Sequence, residues 1–206
     1  MSTYSTFAEL QANATPDHDY RIRFRIVSTD LAIMAIHGGG IEPGTTEIAE
    51  AVAGKDYSFY TFSGLKPNGN AALHITSHRF DEPRAIQITR QSATILAIHG
   101  CAGNEAAAYL GGRNLLLKQM IGDRLARRQI RVLESPRFPG VHPQNICNRC
   151  LSGQGVQLEL TAGLRRHLFD GLSRPLRSTP NLVLTGFTLE VRKALNDYMQ
   201  TASNVF

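Results

Sequence analysis

The sequence predicts an α/β domain of three layers, a mixed β-sheet flanked by helices. Two continuous apolar runs, Leu31 to Ile36 and Ala93 to Ile98, have the length and composition of central strands covered on both faces. Segments with helical spacing alternate with strand-like segments along the chain, as layered α/β folds require. Some strand segments are joined by short connections, so the sheet is expected to be mixed rather than all parallel. With 206 residues the chain is long enough to bury a full core in one domain, taken as residues 1–206.

Tyr20 to Val27 alternates polar and apolar residues, the pattern of a half-buried edge strand. Leu31 to Ile36 follows as a core strand ending on His37. The segment 43–54 reads as a helix, with Thr45 or Thr46 as N-cap and Gly54 as its stop. Tyr57 to Phe62 is strand-like, His74 to Ser77 is short and β-like, and Arg84 to Thr89 alternates as a strand would. Ala93 to Ile98 repeats the core pattern before His99. Leu115 to Arg128 has helical spacing and a basic last turn that suits the helix dipole. Arg131 to Leu133 is a further strand, and Pro136 to Cys150, with three prolines, is a long surface loop of the kind that borders sites. Val156 to Leu160 is a strand, a short helix runs on through Leu168, and Thr188 to Met199 forms a terminal helix. No repeat or low-complexity segment interrupts the pattern.

Net charge is +5, and arginine dominates its positive side, which suits carboxylate or phosphate partners because the guanidinium fork binds them bidentately. Aromatic residues make up 7% with no tryptophan, and no long basic stripe with interleaved aromatics occurs, so a nucleic-acid partner is not expected. The apolar runs are far shorter than the roughly 20 residues of a membrane helix. The start, Met1 to Glu9, lacks the basic and apolar regions of a leader, so a soluble chain without signal peptide, made in the cytoplasm, is expected. Three cysteines, Cys101, Cys147 and Cys150, do not make a disulfide scaffold. The Cys147–Cys150 pair has the spacing of one zinc-ribbon half without its second half, and reads as structural thiols.

The chemistry gathers at the ends of the two core strands. His37 and His99 each close an apolar run and are each followed at once by glycine, which implies that the strand stops and the backbone turns there. Catalytic groups collect at the carboxyl ends of strands in open α/β sheets. Two histidines from different strands and the nearby Glu42 supply three zinc ligands and leave a fourth position for water. A histidine in such a place also serves as a core residue bonded to backbone carbonyls, but two with matching context favour the site. In the strand Val156 to Leu160, alternation puts Gln157 and Glu159 on the face opposite Val156, Leu158 and Leu160. Glu159 is then either a general base or a solvent-facing carboxylate.

Several segments together resemble the poly-γ-glutamate hydrolase family, phage-type and bacterial zinc peptidases with a zinc-carboxypeptidase-like fold. They are Asp19 to Arg23, Ala35 to Glu47 with its His-Gly-Gly-Gly-Ile-Glu-Pro-Gly string, Leu73 to Ser77, Phe80 to Pro83, Ile98 to Cys101, Gly111-Gly112, Asn145 to Arg149 and Gly155 to Leu160. The resemblance implies a zinc-dependent γ-glutamyl hydrolase in which His37, Glu42 and His99 hold Zn2+ and Glu159 is the general base. Carboxypeptidases usually space their first ligand pair as His-x-x-Glu. Here four residues separate His37 from Glu42, an extra turn that the three glycines permit.

The resemblance also implies an acidic polymer substrate, poly-γ-glutamate, and a monomer is expected. Release by lysis would put such a phage enzyme outside the cell. Arg79, Arg113, Arg149 and Arg165 lie nearest the motifs and are the candidates to hold substrate carboxylates, while His74 and His78 are placed to line a cleft rather than to bind metal. Three other readings compete. The same zinc chemistry would serve another γ-glutamyl substrate, in a cell-wall peptide or a small metabolite. A cysteine hydrolase would use Cys101, two residues after His99. A non-catalytic module would bind polyanions without needing His37, Glu42, His99 and Glu159 together.

Overall fold

The computed structural model describes residues 3–134 and 136–203. Met1 and Ser2, part of the start from which no leader is expected, lie outside them. Among the described residues seven strands form one mixed sheet: β1 (Tyr20–Arg25), β2 (Leu31–Gly39), β3 (Ser58–Gly64), β4 (Thr94–Cys101), β5 (Ala107–Gly112), β6 (Arg131–Leu133) and β7 (Val156–Thr161). Their spatial order is β1-β3-β2-β4-β7-β5-β6. The central strands β3, β2, β4 and β7 are parallel, while β1 and β5 run antiparallel to their neighbours β3 and β7. The mixed sheet is as expected, and its parallel centre is where both faces are covered.

Alternation along the central strands divides the core in two. Leu31, Ile33 and Ala35 of β2, Leu96 and Ile98 of β4, and Val156, Leu158 and Leu160 of β7 pack under α2 (Thr45–Ala53), α4 (Leu115–Ala126), α5 (Ala162–Phe169) and α7 (Leu182–Ser203). Ala32, Met34 and Ile36, with Ile95 and Ala97, pack on the other face against α1 (Phe7–Asn13), α3 (Pro83–Gln91) and the short 3-10 turn Ile146–Arg149. A second 3-10 turn, Asn70–Leu73, and a short helix α6 (Arg174–Arg177) complete the elements. Cys147 and Cys150 are free thiols buried in that second core. No helix among the described residues is long and apolar enough to cross a membrane.

The departures from expectation have local causes. The segment 84–89 is helical, because Glu82 accepts hydrogen bonds from the backbone N–H groups of Arg84 and Ala85 and Pro83 opens the first turn. Neither Thr45 nor Thr46 caps α2. Gly44 takes the N-cap position in a left-handed conformation, and the two hydroxyls bond elsewhere. His74 to Ser77 is irregular chain and turn rather than strand. Besides the two 3-10 turns, three elements are additional to those expected, α1, β5 and α6, and α7 begins six residues earlier.

The glycines after the two histidines do not end their strands, for β2 runs on to Gly39 and β4 to Cys101. They are there for close approach. A Cβ on Gly38 would lie 2.0 Å from Thr46 Oγ1, and one on Gly100 would lie 2.6 Å from Arg165 Cζ. The reversal comes one step later, at Gly39 with φ +64°, where an L side chain would be strained.

Candidate metal centre

The site is built by a bulge, a turn and one strand register. Between Ala35 and Gly38 the pairing of β2 with β3 slips, three residue steps on β2 matching two on β3. Strict alternation would send His37 to the face of Ala35. The bulge instead puts it on the face of Ile36, where its ring meets Ile75, His74 and Phe80. His99, alternating from Ile95 and Ala97, emerges on the same face of β4. The turn after Gly39 then folds back so that the Glu42 N–H donates to the His37 carbonyl at 2.8 Å, which returns the Glu42 carboxylate to the imidazole.

The ligand atoms of His37, Glu42 and His99 lie within 4.8 Å of one another. His37 Nδ1 is 2.9 Å from Glu42 Oε1 and 3.2 Å from His99 Nδ1, and His99 Nδ1 is 3.6 Å from Glu42 Oε2. His37 Nε2 faces the Ile75 carbonyl at 2.7 Å, an atom that can only accept, so Nε2 carries a hydrogen and Nδ1 is the nitrogen left to face Glu42 and His99. Glu42 Oε2 accepts the Gly100 N–H at 2.8 Å, which fixes the carboxylate between the two strands. Two ring nitrogens and a carboxylate therefore converge on one point, an arrangement that can hold a cation between them. Two imidazoles and one carboxylate suit zinc, whose catalytic sites take three such protein ligands.

The titration of the residues follows from the same convergence. Burial alone would raise the Glu42 carboxyl, but charge on His37 and hydrogen bonds from both rings hold it far below the usual range. Burial opposes charge on His99, yet its bond to Glu42 and the nearby Glu159 carboxylate raise it above 6.5. His74, stacked on His37 at 4.0 Å between centroids, is pushed down to about 4 by burial and by charge on His37.

Glu159 stands directly opposite His99 in the parallel pairing of β4 with β7, and opposite Tyr109 of β5 on its other side. It is 6% exposed and lies on the face opposite Leu158 and Leu160, so the solvent-facing alternative does not hold. Its Oε1 accepts from Gln157 Nε2 at 2.8 Å, and burial raises its carboxyl above the usual range, with the charge of His99 opposing. All four residues line one cleft of about 880 Å³, with His74, Tyr109 and the segment Arg137 to His142 among its walls.

None of the four arginines expected at the substrate is among the residues that line the cleft. Arg165 is 5% exposed and donates to the backbone carbonyls of Leu160, Pro43 and Cys101. Arg149 donates to those of Gln144, Phe80 and His78, which ties the two loops on either side of the cleft mouth. Arg79 bonds Ser5 near α1, and Arg113 is exposed beyond the end of β5. Of the described arginines Arg137 lines the cleft, with its guanidinium 5.3 Å from the Phe138 ring. It sits in the Pro136 to Cys150 loop, whose border position was legible, but no motif singled it out.

Cys101 lines the cleft too, without an imidazole partner. His99 Nδ1 faces His37 and Glu42, and its Nε2 lies 3.5 Å from Ser77 Oγ. Burial and the Glu159 charge push the thiol up to about 11, the reverse of an activated nucleophile.

Comparison with known proteins is consistent across the chain. The family described as poly-gamma-glutamate hydrolase matches residues 4–196. UPF0714 protein YndL of Bacillus subtilis strain 168 is 38% identical over 178 residues, which cover 85% of this chain and 70% of that protein. A bacteriophage poly-gamma-glutamate hydrolase structure superposes with a TM-score of 0.95 at 31% identity, covering 98% of this chain and 100% of that one. An apo, zinc-free structure of YndL superposes with a TM-score of 0.91 at 33% identity, covering 96% and 99%.

Proposed function

This chain belongs to the poly-gamma-glutamate hydrolase family, and on that premise we propose that it is a zinc-dependent hydrolase of the γ-glutamyl amide linkages of poly-γ-glutamate. The observation that carries the proposal is the convergence of His37 Nδ1, His99 Nδ1 and the Glu42 carboxylate beside a buried Glu159. A zinc-free form of the relative YndL supports zinc as the metal. Zinc, held by His37, Glu42 and His99, supplies Lewis acidity to an amide carbonyl and makes water acidic enough to ionise near neutral pH.

The chain's own groups supply the rest. The Ile75 carbonyl and the Gly100 N–H hold His37 and Glu42 in ligand geometry before any metal arrives. Glu159 takes a proton from the attacking water and passes it to the leaving amine as the C–N bond breaks. Its raised carboxyl suits both halves of that exchange. Poly-γ-glutamate carries one free carboxylate per residue, and the +5 chain attracts such a polyanion at long range. At close range Arg137, on the cleft wall, receives a substrate carboxylate.

The test is the size of poly-γ-glutamate on a gel after incubation with the purified protein. The polymer should shorten, survive intact after the protein is chelated, and shorten again when zinc is restored. An intact polymer with zinc-loaded protein would contradict the substrate, and undiminished shortening after chelation would contradict the metal.

A further inference from the structure

We propose that Asn145 and Gln157 are positioning residues for Glu159, joined in a hydrogen-bond chain whose direction is fixed by one backbone N–H. The inference rests on the reading of Glu159 as general base. Cys147 N–H donates to Asn145 Oδ1 at 3.2 Å, and a backbone N–H can only donate, so the Asn145 oxygen must point that way. Its Nδ2 is thereby turned toward Gln157 Oε1, to which it donates at 2.8 Å. The Gln157 oxygen is then committed, and its Nε2 donates to Glu159 Oε1 at 2.8 Å. Each orientation follows from the one before it, and the carboxylate at the end receives a donor.

The three residues are 6%, 4% and 6% exposed in chain order where they line the cleft, so little of their polar surface meets solvent. In such surroundings an amide flipped end for end would face oxygen with oxygen, which costs about as much as a lost buried hydrogen bond. The chain therefore does two things for the base. It fixes the carboxylate plane by holding one oxygen, and it supplies a donor that favours the ionised form against the burial that disfavours it. It also connects the base to the cleft wall. Asn145 N–H donates to the His142 carbonyl at 2.9 Å, and Asn148 Nδ2 donates to the Gly140 carbonyl at 2.7 Å.

Asn145 also caps the 3-10 turn Ile146–Arg149, and its two roles are separable. Asp and Ser accept a capping N–H about as well as Asn. Asn145→Asp and Asn145→Ser therefore keep the acceptor for Cys147 and lose the Nδ2 donor. In Asn145→Asp the Gln157 amide turns to donate to the new carboxylate and presents its oxygen to Glu159.

The experiment measures kcat and KM on poly-γ-glutamate, zinc content and melting temperature for Asn145→Asp, Asn145→Ser, Gln157→Met and Glu159→Gln. The expected result is a tenfold or greater fall in kcat for the first three, with KM and zinc content unchanged and the Asn145→Asp melting temperature lowered by no more than one lost buried hydrogen bond accounts for. A cap alone predicts wild-type kcat for Asn145→Asp and Asn145→Ser, and that result would overturn the relay. If the Asn145 variants do not fold, Gln157→Met decides by the same kcat criterion. Wild-type kcat in Glu159→Gln would instead overturn the base reading, an outcome distinct from failure of the relay alone.

Discussion

Arg165→Met is expected to destabilise the protein by about 3 kcal/mol while leaving KM for poly-γ-glutamate unchanged. The guanidinium bonds three carbonyls, at 3.1 Å to Leu160, 2.7 Å to Pro43 and 3.0 Å to Cys101. Pro43 follows Glu42, Leu160 follows Glu159, and Cys101 stands two residues after His99, so one cation ties the three segments that carry the site. Bonds to a charged donor contribute about 1.5–3 kcal/mol each, which sets a gross loss of roughly 5–9 kcal/mol. Removing the burial of a cation returns several kcal/mol of this, and the methionine recovers part of the stem's packing, leaving about 3 kcal/mol. For a chain of this length that corresponds to a melting temperature lower by roughly 6–12 °C. Urea unfolding gives the free energy, and initial rates on the polymer give KM. A loss below about 1 kcal/mol together with a tenfold higher KM would show that Arg165 holds substrate rather than the fold.

Arg137→Met is expected to raise KM about tenfold with little change in kcat, a loss of roughly 1.4 kcal/mol of binding, and an unchanged KM would remove Arg137 from the substrate site. Because the Cys101 thiol is pushed up to about 11, roughly one molecule in a thousand is thiolate at pH 8, so iodoacetamide should leave depolymerisation intact and Cys101→Ser should stay active. Abolition by either would restore the cysteine mechanism. In the metal-free protein His99 and His74 give opposite pH dependences on the two sides of pH 6.5. His99 is raised above 6.5 in the fold, so its contribution is full below 6.5 and is lost as pH rises through the raised value. His74 is lowered to about 4, so its contribution is full above 6.5 and is lost as pH falls toward 4. Zinc replaces the proton between the ligands, and melting curves of the loaded protein should lose the decline above pH 6.5; an identical decline with and without zinc would contradict the ligand set.

The central strands of the sheet were legible because a strand covered on both faces must be apolar throughout, as β2 and β4 are. So was the face of Glu159, since alternation in β7 leaves one choice once Leu158 and Leu160 are buried. The strand-like reading of 84–89 failed because six residues with apolar Ala85, Ile86 and Ile88 fit either period, and the deciding signal was Glu82-Pro83 just upstream. β5 was hidden by Gly111 and Gly112, which lack side chains to show a pattern. The bulge that turns His37 toward His99 is a property of pairing with β3, not of the β2 residues alone. The partners of the arginines were hidden for the same reason: a guanidinium bonds whatever carbonyls the fold brings to it, and sequence proximity to a motif does not say which.

The most direct test of the central claim is the metal content of the purified protein and of His99→Ala, measured by elemental analysis. The wild type should hold about one zinc ion per chain, as a single three-ligand site requires, and His99→Ala should lose both the metal and the depolymerisation of poly-γ-glutamate. Equal zinc in both proteins, or a metal-free wild type that still shortens the polymer, would contradict it.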